Sequence, residues 1–566
     1  MNIIDWIVLC GTLSAIVLYG IWKGRQSARD IAGYVLGSRE LPWYNVALSV
    51  MATQASAITF LSVPGQAYTD GMRFVQFYFG LPLAMIVLCV TAIPLYSKLN
   101  VFTAYQYLET RFDVRTRVLT SALFLIQRGL AAGLTIYAPS LILSLLLGWD
   151  IRLTIVLTGI LAMLYTVTGG AKAVSYTQSY QLMIILCSMG LAFWVVLSLL
   201  PQNVSFSNAL TIAGSVGKMN AINFHFDIND RYNIWSGIIG GFFLQLSYFG
   251  TDQSQVQRYL SGQSITQSRI GLLVNGMVKI PMQFAILILG IMVFVAYQFV
   301  TPPLFFNATE ITKLQQSSYS EQYQTIEKEY ARVAQERTVS AQVLAEALTK
   351  HDASEIAQAQ DALRRSHASL SALRTQTTAL MKTNDRTANT NDTNYIFLSF
   401  VLAYLPVGLV GLVIAAIISA SMSSISSEVN ALASTSLVDV YKRLIKPSAD
   451  DEHYVRASKV LAAVWAGMII LFAQFLGSLG SLVEAVNVLG SLFYGTILGI
   501  FLTAFYVKRV NAKHVFVAAI IAEGIVLYCY LQLTISFLWF NLIGCGAVVF
   551  FGLLLSWIQY KPQARV

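Results

Sequence analysis

Six serines crowd the middle of one apolar stretch, "GLVIAAIISASMSSISSEVNALA": Ser419, Ser421, Ser423, Ser424, Ser426 and Ser427. At helical spacing Ala420, Ser423, Ser424 and Ser427 fall at i, i+3, i+4 and i+7 and share one stripe. An isolated serine in such a helix bonds back to its own preceding turn or lets a neighbouring helix come close. A continuous stripe goes further, because alanine or glycine would serve close packing without hydroxyls. A row of neutral oxygens suits a hard monovalent cation, which needs several oxygen ligands and little formal charge. An intact helix has already used its own carbonyls, so the remaining ligands must come from a second, interrupted helix.

A candidate for that second helix is "WYNVALSVMATQASAITFLSVPGQAYTDG", apolar at both ends with Thr53, Gln54, Ser56 and Thr59 in its middle. Another interruption is expected in "WSGIIGGFFLQLSYFGTDQSQVQRYL", at Gly240–Gly241, followed by Gln245, Tyr248 and Gly250. Two interrupted helices about five spans apart suggest two related halves with a binding site at mid-membrane depth. Arg128 lies deep in "LFLIQRGLAAGLTIYAP". A charge buried in a bilayer costs a few kcal/mol or more. Arg128 therefore either pairs with the carboxylate of an anionic solute or hydrogen-bonds backbone carbonyls as structural glue. Candidate solute contacts are Gln54, Ser56, Thr59, Gln76, Arg128, Tyr248 and Asn487. Glu428 and Glu484 read as structural or water-facing groups, and Arg73 as a side chain that snorkels. Five scattered histidines, no Ser/His/Asp cluster in the spans and no phosphate-binding glycine loop argue against an enzyme.

The elements that position these residues follow from composition. The 566 residues are 56% hydrophobic and 11% charged, too little charge to cover a soluble protein of this length, so the chain is an integral membrane protein. A window of roughly 20 apolar residues per span predicts about thirteen helices. Net charge is +9, and Lys and Arg concentrate in short alternate loops such as "KGRQSARD", "GGAKAVSY" and "YVKRVNAKH" and in the tail "QYKPQARV". Those segments are expected in the cytoplasm, which makes this a multi-pass plasma (inner) membrane protein with its N-terminus outside and its C-terminus inside. No basic tract interleaved with aromatics points to nucleic acid. The five cysteines lie in apolar runs without metal-ligand spacing and read as small core residues. The first apolar run has no cleavage-site pattern after it and reads as a retained span.

Residues 300–393 interrupt this pattern and separate a first membrane part, 1–299, from a second, 394–566. From Glu310 to about Asn391 the chain is polar and helix-forming, and "KHDAS" offers a break with an N-cap. Two antiparallel helices joined near Asp352 are expected on the outer face. They are either a solvated hairpin packed on itself or a surface that docks a protein partner or covers the mouth.

The stretches "GTDQSQVQRYL", "GGAKAV", "YAPSLIL" and "SSISSEVNALASTSLVDVYK" resemble the motifs of the sodium:solute symporter family, which includes sodium/glucose, monocarboxylate, multivitamin and iodide carriers. The resemblance runs in family order over nearly the whole chain outside 300–393, and the wording is most similar to the monocarboxylate/iodide/vitamin branch. It implies an all-α polytopic membrane protein with the LeuT-type inverted five-helix repeat, one helix before the repeat and about two after. It also implies Na+ as coupling ion, bound by the carbonyls of Ala52, Ala55 and Ala420 and the hydroxyls of Ser423 and Ser424. Some members hold a second sodium with hydroxyls that match Ser426 and Ser427 and with an Asp in "TDxxQ". This chain reads "TQSYQ", with Gln178 in place of that Asp, so the second site is degenerate and one sodium per cycle is expected. The implied function is inward sodium flow coupled to uptake of a small organic solute, with a sugar acid, a monocarboxylate or a vitamin-like compound as candidates. The alternative is a ligand sensor on the same fold, signalling through the outer insert or a partner.

Overall fold

A computed structural model describes residues 1–24, 31–36, 39–476 and 480–559. The basic loop 25–30 and the tail 560–566, both used above to orient the chain, lie outside the described residues, as do the loop 477–479 and most side chains of the "GGAKAV" motif. The first part comprises α1 (Ile3–Gly24), the short α2 (Ile31–Leu36), the pair α3 (Trp43–Gln54) and α4 (Ala57–Asp70), and a 3-10 stretch, Gly71–Tyr78. It continues through α5 (Leu81–Val90), α6 (Ala92–Leu99), α7 (Tyr105–Arg111), α8 (Val114–Leu147), α9 (Ile151–Ser198) and α10 (Phe206–Ser215). After a π-helical turn, Ser236–Gly240, come α11 (Gly241–Thr251), α12 (Gln253–Leu260) and α13 (Ile265–Phe299). The insert holds α14 (Ala308–Gln315), α15 (Ser320–Lys350) and α16 (Ala353–Asn384). The last part holds α17 (Thr393–Tyr404), α18 (Leu409–Thr435) with a π-helical continuation Ser436–Ile445, α19 (Asp451–Ala473), α20 (Leu482–Tyr506), α21 (Ala512–Gln532) and α22 (Leu538–Ile558).

Among the described residues, 10 helical stretches are long and apolar enough to cross a membrane, fewer than the thirteen or so expected. The difference lies in broken and short elements. α11 and α12 are split and Thr393–Tyr404 is short, while α9 runs unbroken from Ile151 to Ser198 with most side chains between Met163 and Val174 outside the described residues. None of the short pieces reaches the roughly 20 residues that a continuous span needs.

The serine helix is the centre of the molecule. Every residue from Val413 to Asp439 is buried, and α1, α3, α8, α9 and α19 all pack against α18. A helix apolar on every face is one enclosed by others. Its start is fixed by Asp5 on α1, whose Oδ1 accepts the N–H groups of Gly408 at 2.6 Å and Gly411 at 3.2 Å. These bonds satisfy donors that a helix N-terminus otherwise leaves unpaired. Gly408 has φ +89°, a conformation that glycine adopts without strain.

The first break is where the polar patch predicted it. α3 stops at Gln54 and Ser56 is extended (φ −77°, ψ 171°) before α4 begins. The second is not at Gly240–Gly241, where the chain stays helical, but at Asp252 (φ −78°, ψ 117°). Asp252 caps α12, with Oδ1 accepting from Ser254 N at 2.9 Å and Ser254 Oγ at 2.6 Å, as an aspartate at an N-cap does. The glycines serve close approach instead: a Cβ at Gly237 would collide with the Gln76 carbonyl, and one at Gly240 with the Leu538 backbone.

In the insert, α15 and α16 form the expected hairpin. It turns at His351 (φ +57°) and Asp352, whose Oδ1 accepts from Ser354 N at 2.9 Å and Glu355 N at 3.0 Å. The hairpin does not pack only on itself. Ala341, Leu344, Ala345, Ala359 and Leu363 join the same apolar core as the membrane helices. Tyr323, Tyr330, Val333, Leu370 and Met381 close on Leu304 and Phe305. Three arginines fasten it. Arg337 donates to the Tyr297 and Val300 carbonyls (2.5 and 3.1 Å), Arg364 to Ser215 O (2.7 Å), and Arg374 to both oxygens of Asp392 (2.8 Å each).

Candidate functional site

The break after Gln54 leaves the last carbonyls of α3 without helical partners, and the serine stripe of α18 faces them. Ser423 Oγ lies 3.3 Å from Ala52 O, and Ser424 Oγ 3.3 Å from Thr53 O. Hydroxyl-to-oxygen bonds usually close to about 2.7–2.8 Å, so these oxygens face one another across a loose gap. Ala55 sits at the break itself, and Ala420 one turn before Ser424 on the facing helix. Ser421 points elsewhere and bonds Thr135 O on α8 at 2.6 Å. Among the described residues no group of three or more His, Cys, Asp or Glu could hold a metal ion. The oxygens across this gap are neutral, and that chemistry matches a monovalent hard cation.

Gln178 on α9 reaches into the adjoining space. Its Nε2 lies 3.2 Å from Thr53 Oγ1, 3.1 Å from Ser423 O and 2.5 Å from Ser427 Oγ, and its Oε1 accepts from Ser49 Oγ at 2.6 Å. A partly positive amide nitrogen thus sits among three oxygens. Ser426 turns away and bonds Ser423 O of its own helix at 2.9 Å.

Beside the α3–α4 break lies a cavity of about 100 Å³. Six of the seven residues proposed from sequence to touch a solute line it: Gln54, Ser56, Thr59, Arg128, Tyr248 and Asn487. Gln76 does not. Its amide holds the chain beyond α10, donating to Tyr232 O at 2.8 Å and accepting from Asn223 N at 2.9 Å. Arg128 is held by side chains and not by the backbone carbonyls that were one of its two expected partners. Its guanidinium forms ion pairs with Asp252 and with Glu428, the latter at 3.1 Å, and donates to Tyr494 OH at 2.6 Å. Tyr494 OH in turn donates to Asp252 at 2.9 Å. The network joins α8, the α11–α12 break, α18 and α20 at the cavity floor.

A model of the Sodium:solute symporter family matches residues 34–320 and 370–522, leaving out much of the hairpin. The chain belongs to the sodium:solute symporter family. The sodium/sialic acid symporter SiaT of Proteus mirabilis (strain HI4320) is 26% identical over 563 residues, covering 97% of this chain and 94% of that one. The human sodium/iodide cotransporter is 33% identical over 281 residues, 49% of this chain and 43% of that protein. Against that carrier and the human sodium-coupled monocarboxylate transporter 1, the chain spans under half of the relative's length. A solved substrate-bound, outward-open Na+-coupled sialic acid symporter superimposes with TM-score 0.75 at 24% identity over 100% of both chains. The fold is therefore the LeuT-type arrangement expected.

Several residues of this symporter-family site escape sequence reasoning. Gln127, Thr135, Gln245, Glu428 and Tyr494 line the cavity. Their spacing along the sequence does not show that they share one space, although Gln245 and Glu428 stand in stretches already noted as polar. Glu428 reads from sequence as a structural or water-facing group, yet its Oε2 is buried without a hydrogen-bond partner. Lys279 on α13 is fully buried with no partner for Nζ, which lies 5.8 Å from the Tyr78 ring. Tyr78 lines the cavity and Lys279 stands behind it. On the insert side, a chamber of about 420 Å³ lies among Gln66, Asp70, Arg231, Arg374, Asp392 and Glu484. α4 and α20 line both spaces.

Proposed function

We propose that the chain is a secondary active transporter that couples inward sodium flow to uptake of a small organic solute by alternating access. The observation that carries this is the loose cluster of neutral oxygens between the end of α3 and the serine stripe of α18, directly beside a polar cavity. Family membership and the fold shared with a Na+-coupled symporter support it. Sodium is held by the carbonyls of Ala52, Ala55 and Ala420 and the hydroxyls of Ser423 and Ser424, with Thr53 O added by its position. Gln178 and Ser427 mark a second site that the Gln178 amide nitrogen already fills, with Ser426 bonded back to its own helix, so one sodium moves per cycle.

The solute binds among Gln54, Ser56, Thr59, Arg128, Tyr248 and Asn487. Two acidic side chains already pair with Arg128, so an anionic solute would have only its unpartnered Nε–H to meet. The insert lies outside and walls the outer chamber, with the N-terminus outside and the C-terminus in the cytoplasm, as the charge bias suggests. No observation favours a sensor. The test is a solute screen by uptake into proteoliposomes with an inward sodium gradient or with potassium in its place. Sodium-dependent accumulation of at least one solute is expected. Uptake that proceeds equally without sodium would sink the reading.

A further inference from the structure

The cavity's charged groups do not balance. One guanidinium, Arg128, is shared by two carboxylates, Asp252 and Glu428. Asp252 has a full set of partners: Ser254 N and Oγ on Oδ1, with Tyr494 OH and Arg128 on Oδ2. Glu428 does not. Its Oε1 meets Arg128 at 3.1 Å and Thr135 Oγ1 at 3.4 Å, while Oε2 is buried and unpartnered in a residue that is 5% exposed and lines the cavity. A buried carboxylate oxygen without a partner is costly unless a donor, a proton or a cation meets it. Lys279 does not serve, since it stands behind Tyr78 and is not on the cavity wall.

The remaining walls point the same way. Phe77, Tyr78 and Tyr248 present aromatic rings to the space, and aromatic faces attract cations, quaternary ammonium groups included. The Arg128 guanidinium already lies over the Tyr248 ring at 5.4 Å. Resting on the reading of this cavity as the solute site, we infer that the solute carries a positively charged nitrogen, which pairs with Glu428 against the aromatic wall.

The test uses the purified full-length protein in sodium chloride and follows its thermal stability with three probes: choline, its uncharged carbon isostere dimethylbutanol, and pyruvate. Choline is expected to stabilise the protein and the other two are not. In Glu428→Ser the guanidinium loses one of its two carboxylates, so the apparent affinity for choline falls by roughly tenfold or more and pyruvate begins to stabilise. That gain also shows the variant to be folded. Stabilisation of the unaltered protein by pyruvate or the isostere, no response to choline, or an unchanged choline response in Glu428→Ser would each overturn the assignment. Sodium alone serves as the separate control. If it fails to stabilise the protein, the symport reading fails, whereas a sodium response without a choline response sinks only the cationic solute.

Discussion

Single atoms decide the ion chemistry. Ser423 and Ser424 place their hydroxyls at the α3 carbonyls, Ser421 ties α18 to α8, and Ser419 Oγ has no partner. Ser423→Ala and Ser424→Ala are therefore expected to weaken sodium binding about tenfold or more, since a hydrogen-bonding group to a charge is worth roughly 1.5–3 kcal/mol. Ser421→Ala should instead lower stability by about 1 kcal/mol with sodium affinity kept, and Ser419→Ala should change little. Isothermal sodium titration beside thermal melting separates the cases, and equal effects from all four would favour a packing role. Gln178→Asp replaces the resident amide nitrogen by a carboxylate facing Thr53 and Ser427. A sodium dependence that steepens from a Hill coefficient near one toward two is expected, and an unchanged slope would show that the space cannot take an ion. The serine stripe was legible because its period is helical. Glu428 and Asp252 were not, because a sequence shows a charged residue without its partner. Only the fold brings Arg128 within reach of two carboxylates 124 and 300 positions away.

At the scale of elements, the insert is the part read least well. Its hairpin and the turn at Asp352 followed from composition and capping, but its docking did not, because the contacts are made by arginines that read as solvent-facing. Arg337→Ala would strand the buried Tyr297 carbonyl and is expected to cost about 1–3 kcal/mol, seen as a lower melting temperature with sodium binding intact. His367 on α16 packs edge-on against Phe294 of α13 at 5.7 Å. Burial first, then Lys218 and Arg337, push it down to about 4. The docked state disfavours the imidazolium, so docking is at full strength above about pH 6.5 and weakens as pH falls toward 4, by about 1.4 kcal/mol per unit. Amide exchange along α16 should accelerate between about pH 7.5 and about pH 5 beyond its intrinsic pH dependence, and His367→Gln should remove the excess. An excess that persists in that variant would place the switch elsewhere. The second helix break was misread for a related reason. Glycine is the residue expected where a helix stops, but here Gly237 and Gly240 let backbones touch and the chain breaks at a capping aspartate.

For the whole molecule, the membrane class, the insert and the LeuT-type fold were legible, because apolar run length, composition and motif order do not depend on tertiary detail. Orientation rests on loop charge alone. A cysteine introduced by Ser354→Cys at the hairpin tip should react with an impermeant maleimide on intact cells, whereas one from Asp450→Cys, between α18 and α19, should react only after permeabilisation; the reverse pattern would invert the topology. The amide nitrogen of Gln178 has a consequence for how steeply a solute can be concentrated. A positive centre that is covalently part of the protein cannot be carried down a gradient, so it contributes nothing to accumulation. With one sodium, a tenfold gradient gives about 1.4 kcal/mol and a potential of 100 mV about 2.3 kcal/mol, enough to hold a neutral solute roughly 500-fold above its outside level. A cationic solute is itself drawn inward by the potential and adds a second contribution of about 2.3 kcal/mol per 100 mV. The force given up by retaining one ion as an amide would then return as charge on the cargo.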